Sequence, residues 1–265
     1  MRAQEPTGRE EAIRPRHAIV CHGAGSSGAA ARLLVPPEVL GAREVAYPED
    51  RTGDVDEIIG VIDAWDRALD DDAERVVAGI SLGAHAAARW AARRRPRGSP
   101  SSQPSRPARR PDPPLTLMLA LPAWSGPPGP AAAATRASAE QVRRHGIDAV
   151  LADLAATDLG DRACILELLR LAWSEYEADV LADALGRAAA GRGPTDVELG
   201  ALRCRTAVAW WEDDPFHPAE VGLAWSRAIP GAHAAHIPWT AMTDYPGTLG
   251  TIAAGLLGLH GSRAH

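Results

Sequence analysis

A chain of 265 residues has room for one α/β domain and is cramped for two. Hydrophobic residues make up 46% and charged residues 23%, enough apolar material for a sizeable core, which excludes disorder of the whole chain. A formal charge of -6 excludes a general attraction to nucleic acid or to an anionic membrane surface; apart from histidine every basic side chain is arginine, a compositional bias with no chemistry attached.

Residues 1–16 contain no apolar stretch of the kind a secretory leader needs and are expected to be flexible. No later stretch approaches the roughly 18 consecutive apolar residues of a spanning helix, so a cytoplasmic location and no membrane partner are expected. Cys21, Cys164 and Cys204 are odd in number and widely spaced, which predicts free thiols and no metal framework.

The apolar run 17–21 reads as a buried strand feeding the glycine-rich loop His22-Gly23-Ala24-Gly25-Ser26-Ser27-Gly28, with a helix through Ala29 to Leu34. Residues 43–47 form a second short strand. Asp54 then N-caps a helix marked by Val55, Ile58, Ile59, Ile62 and Trp65. A third strand, 75–80, runs directly into Ser81 and an alanine-rich helix over 84–92. This alternation predicts an α/β fold, a mostly parallel sheet with helices on both faces. Residues 93–114 are Arg, Pro, Ser and Gly with almost no apolar content, and are expected to be a disordered loop. Their arginines lack the aromatic interleaving and folded module of a nucleic-acid site. A fourth strand over 115–121 precedes a region, 131–203, that carries only helical patterns and reads as a helical cap inserted between strands. The sheet resumes at 206–211, followed by a helix over 219–228, a short strand over 232–237 and a last helix from about 245 to 259. One domain therefore spans 1–265.

Gly79-Ile80-Ser81-Leu82-Gly83 places small residues two positions before and two after a serine, at the junction of a β-branched strand and a helix. A turn that tight has no room for side chains at the flanking positions, and it holds the serine hydroxyl at the carboxyl edge of the sheet. The helix that starts there aims its first amides at developing negative charge. With His22-Gly23-Ala24 after the first strand, the chain over about 17–260 resembles the α/β-hydrolase family. The resemblance implies a serine nucleophile at Ser81 and an oxyanion hole made by the backbone amides of Ala24 and Leu82. It implies an acid at Asp214, in Glu212-Asp213-Asp214-Pro215-Phe216-His217, which resembles the family's acid loop. His22 reads as a structural hydrogen-bonding residue.

The family's base usually follows the last strand, and there this sequence departs: the slot falls at or near Met242, whose thioether cannot accept a proton. His217, three residues beyond Asp214, is the best replacement. His233 and His236 read as packed strand residues, and His85, one turn beyond Ser81, as a core histidine. A chain without a working base stays open as the alternative, as do a simple turn at Asp214 and a metal held by Glu212, Asp213, Asp214 and His217.

Two functions follow. One is a serine hydrolase acting on an ester or thioester of a small hydrophobic molecule, with no cofactor or metal, and with Leu121, Trp124, Trp173 and Tyr176 lining a substrate pocket beneath the cap. The other is a non-hydrolytic protein of the same fold that binds a small ligand or steers a cyclisation or elimination. Plain packing of the cap is the competing reading of the four lining residues.

Overall fold

The computed structural model describes residues 15–94, 114–242 and 245–259. The expected flexible segment lies outside them as far as residue 14. Arg16 already belongs to the first strand, with its guanidinium 3.0 Å from Glu74. The expected disordered loop lies outside them over 95–113, whereas Arg93 closes a helix and Pro114 abuts the next strand.

Six strands, β1 (Arg16–Cys21), β2 (Glu44–Ala46), β3 (Glu74–Ile80), β4 (Leu115–Ala120), β5 (Arg205–Trp211) and β6 (His233–Ile237), form one sheet in the order β2-β1-β3-β4-β5-β6. All five pairings are parallel, with Val77 registered against Ile19 on one side and Leu117 on the other. Helices α1 (Gly28–Leu34), α2 (Val55–Ala68), α3 (Leu82–Arg93), α9 (Ala219–Ala228) and α10 (Thr248–Leu256) connect and cover it. The two-residue period of the strands splits the core into two layers. Ile19, Val77, Leu119 and Trp210 pack toward α2, α3 and α9, while Val20, Ala78, Met118 and Trp211 pack toward α1 and α10.

Between β4 and β5 lie α4 (Pro130–His145), α5 (Ile147–Ala155), α6 (Ala163–Trp173), α7 (Ala178–Ala190) and α8 (Asp196–Gly200). Helix α4 packs along α7, and Val142, Trp173, Leu181 and Leu185 build a separate apolar cluster there. The short α8 carries a full capping box, Thr195 with Glu198, and sits against α3 and α9, with Leu199 in the layer beneath the sheet.

Two sequence expectations need correction. His233 and His236 are exposed, because β6 is the edge of the sheet and only Ile237 of its five residues is buried; His236 stacks on Trp210 with centroids 6.0 Å apart. The last helix is shorter than its apolar pattern, since Gly258, at φ +59°, ends it.

The strand order itself locates the site. The chain leaves β1 toward β2, then crosses back over β1 to β3, so the connections diverge between β1 and β3. In an open parallel sheet such a divergence opens a crevice at the carboxyl ends. The loop after β1 and Ser81 after β3 both lie at that crevice.

Candidate active site

Ser81 has φ 55° and ψ -115°, a strained conformation that is held by a bond from its own amide to Ala120 O at 2.9 Å. The flanking glycines are demanded by contact. A Cβ on Gly79 would sit 2.2 Å from Gly83 O, and one on Gly83 would sit 2.1 Å from Cys21 O. Strand β1, strand β3 and the start of α3 thus meet with no space between backbones, which is what pushes the serine outward. Gly23 is also close, though less so: a Cβ there would be 2.9 Å from Ser81 Cβ and 3.5 Å from its hydroxyl oxygen.

The loop after β5 supplies two more groups. Asp213 takes φ 48°, a left-handed value that aspartate tolerates, and turns the chain back over the sheet edge. Asp214 Oδ1 then accepts from the Phe216 amide at 2.9 Å, closing a tight side-chain turn that places His217 above the same carboxylate. His217 Nδ1 lies 2.7 Å from Asp214 Oδ2, and His217 Nε2 lies 2.9 Å from Ser81 Oγ. The carboxylate can only accept, so Nδ1 carries the proton and Nε2 is the acceptor for the serine hydroxyl. Burial pushes the Asp214 carboxyl up. The facing His217 charge and bonds from His217 and the Phe216 and His217 amides outweigh it, leaving the group below its ordinary value and ionised at neutral pH.

Met242 is fully buried in the α10 layer, with Leu249 and Trp239, so the slot after β6 is core. His85 is also fully buried. Its Nε2 accepts from the amides of Ala123 and Trp124 at 3.3 and 3.4 Å, and its ring meets Trp124 edge-on and lies by Trp225. Burial first, then the charges of His217 and Arg89, push its pKa down to about 3, which makes it a weak base, and its Nε2 is already taken by the two amides.

The amides of Ala24 and Leu82 donate to no acceptor among the described residues. His22 is buried, with Nδ1 2.8 Å from Gly23 O and Nε2 accepting from the Asp50 amide at 2.9 Å. Nothing in the sequence marks Asp50; its place in the loop after β2, at the same sheet edge, becomes visible only when β2 pairs with β1.

Of the four residues read as pocket lining, Leu121 and Trp124 are buried at and just past the end of β4, Leu121 at φ 53° and Trp124 with its indole N–H on Gly191 O at 3.2 Å. The Trp173 indole N–H donates to Gly25 O at 2.9 Å, and the Tyr176 hydroxyl to Ser26 O at 2.9 Å. Trp173 and Tyr176 also border a cavity of about 640 Å³ with Ile147 and Leu151. A second cavity, about 420 Å³, lies beside the acid loop between Arg162, Glu212 and Trp239. All three cysteines are free, and burial, with the Asp50 charge, pushes the Cys21 thiol up to about 12, which makes it inert. No helix among the described residues is long and apolar enough to cross a membrane.

The arrangement has the α/β-hydrolase fold. No protein-family profile matches the chain, and no curated protein matches it. Solved structures do. An esterase from Thermogutta terrifontis is 21% identical with a TM-score of 0.63, over 93% of this chain and 91% of its own. MenH from S. aureus is 16% identical with a TM-score of 0.63, over 94% of each chain. The enol-lactonase from Burkholderia xenovorans LB400 is 13% identical with a TM-score of 0.63, over 94% and 93%. At such identities the likeness is one of fold.

Proposed function

We propose that the chain is a serine hydrolase that cleaves an ester or thioester of a small, hydrophobic substrate through an acyl-enzyme on Ser81. The observation that carries this reading is the unbroken hydrogen-bond chain from Ser81 Oγ through His217 to Asp214. Esterase and lactonase names among the structural neighbours agree with it.

In this reading Ser81 Oγ attacks the acyl carbon while its proton passes to His217 Nε2, and Asp214 stabilises the imidazolium that results. The oxyanion is received by the free amides of Ala24 and Leu82, the latter at the positive end of α3. His217 returns the proton to the departing alcohol or thiol, then takes one from the water that frees the acid. An apolar substrate is supported by Ile165 and Leu168 of α6, which pack half-buried against the core layer that contains Leu121, Trp211 and Trp239. A fold without a working base was the alternative because Met242 fills the usual slot; the 2.9 Å approach of His217 weighs against it.

A fluorophosphonate should add one phosphonyl group to the folded protein at Ser81 and none to Ser81→Ala, and short p-nitrophenyl esters should be turned over. Asp214→Asn should lower kcat about 10⁴-fold, because an amide can no longer hold His217 in the Nδ1–H tautomer. An intact mass unchanged after long exposure of the folded wild type overturns the reading.

A further inference from the structure

We propose that Tyr176 and Trp173 of the cap are positioning residues that set the orientation of the oxyanion peptide, Tyr176 acting in part through Asp50 and His22. The inference rests on the hydrolase reading for its catalytic consequence, but not for its structural one.

A peptide group is planar and trans, so the Ala24 N–H and the Gly23 C=O point in opposite directions. Whatever holds the Gly23 oxygen therefore aims the Ala24 N–H. Two donors hold it: His22 Nδ1 at 2.8 Å and the Ser26 amide at 3.2 Å. The contact between Gly23 and Ser81 puts this peptide beside the nucleophile.

His22 can donate from Nδ1 only if its proton stays there, and the Asp50 amide, donating into Nε2 at 2.9 Å, enforces that tautomer. Asp50 is fixed in turn. Its carbonyl accepts from the Tyr176 hydroxyl at 3.2 Å, and its carboxylate accepts from the amides of Thr52 and Gly53 at 3.0 and 3.1 Å. The single Tyr176 hydroxyl proton is shared between the Asp50 carbonyl and the nearer Ser26 O at 2.9 Å, and the Trp173 indole N–H donates to Gly25 O at 2.9 Å. Three carbonyls of the loop, those of Gly23, Gly25 and Ser26, are thus held by donors, while the Ala24 amide donates to no acceptor among the described residues.

Both aromatics stand at the junction of α6 and α7, and the bond from Arg51 to Glu175 at 3.0 Å ties the same corner down. Displacing this corner would release the Gly25 and Ser26 carbonyls and loosen Asp50, and so unsettle the two donors, the Ser26 amide and His22, that hold Gly23 O. The cap's seating and the readiness of the oxyanion hole are therefore one equilibrium, and a substrate that spreads the α6–α7 corner would be bound without being turned over.

Tyr176→Phe keeps the ring and removes the hydroxyl proton that Ser26 O and Asp50 O share. It should lower kcat about 5- to 20-fold with KM within about twofold, less than the roughly 10²- to 10³-fold loss from deleting an oxyanion donor. His22→Ala should lie nearer that larger loss. His22→Asn, whose side-chain N–H can reach Gly23 O, should recover part of it. The amide proton resonance of Ala24, followed by NMR in the resting protein, should shift in Tyr176→Phe and in His22→Ala without a matching fall in Tm. An Ala24 resonance that neither variant moves overturns the proposal, as does a kcat loss that merely tracks the unfolded fraction. If Ala24 moves but the wild type neither reacts with fluorophosphonate nor hydrolyses esters, the hydrolase reading fails and the positioning of the peptide stands.

Discussion

At the scale of single residues, Met242 and His217 show how a histidine can be lost from one loop and supplied by another. Met242 is fully buried among the side chains of the α10 layer, where an imidazole would be stripped of water. His217 stands three residues from its carboxylate, close enough for one turn to hold both. His217→Ala should therefore abolish ester turnover, and adding Met242→His should not restore it. The second substitution should instead destabilise by about 1–3 kcal/mol, the desolvation of an unpaired polar group, read from urea unfolding. Recovery of activity in the double variant would mean that the slot after β6 is accessible to Ser81 after all. Ser81 and Asp214 were legible as candidates because short motifs carry them. His217 could be named but not chosen over its rivals, since a sequence separation of 136 residues says nothing about a 2.9 Å distance.

At the scale of elements, the helix-to-strand connections carry a polar device that no motif marks. Arg75, at the start of β3, is fully buried; it is ion-paired to Asp66 of α2, and its guanidinium also reaches the carbonyls of Ala73 at 2.6 Å and Asp70 at 3.1 Å. It thereby satisfies backbone oxygens just beyond the carboxyl end of α2, where no further turn of helix exists to do so. Arg75→Ala should cost about 3–5 kcal/mol, because Asp66 is left with less compensation in a poorly hydrated place. Denaturant unfolding checks this, and a loss under 1 kcal/mol would show that water replaces the guanidinium. The helices and strands themselves were readable from period and capping: Asp54 caps α2 by accepting from the Asp56 amide, and α9 begins and ends where its pattern does. The character of β6 was not, because an edge position is a property of the sheet and not of five residues.

For the whole molecule, acid should be the direction of weakness. His85 has its pKa lowered from 6.5 to about 3, so the unfolded chain binds a proton more readily than the folded one between those values. Its contribution to stability is complete above about pH 6.5 and is lost progressively as the pH falls toward 3. Asp214, lowered from 3.8, contributes stability above that value and loses it as the pH falls through its folded pKa. The two losses follow one another on acidification. His85→Gln, whose carbonyl can still accept from the Ala123 and Trp124 amides, should flatten the dependence of Tm on pH between 6.5 and about 3, even if it lowers Tm overall. A slope as steep as in wild type would place the titrating group elsewhere.

By itself the sequence determined the α/β alternation, the strand that ends in Ser81, the helical insertion between β4 and β5, and a short set of candidate groups. These are local matters, decided by period, turn chemistry and the absence of room for a side chain at Gly79 and Gly83. Tertiary structure decided which histidine meets Ser81, that Met242 is core, and that Trp173 and Tyr176 send their polar ends to the loop after β1. Those outcomes depend on which loops the parallel order β2-β1-β3-β4-β5-β6 gathers at one edge, and hydrogen-bond distances between segments more than a hundred residues apart exist only once the sheet has formed.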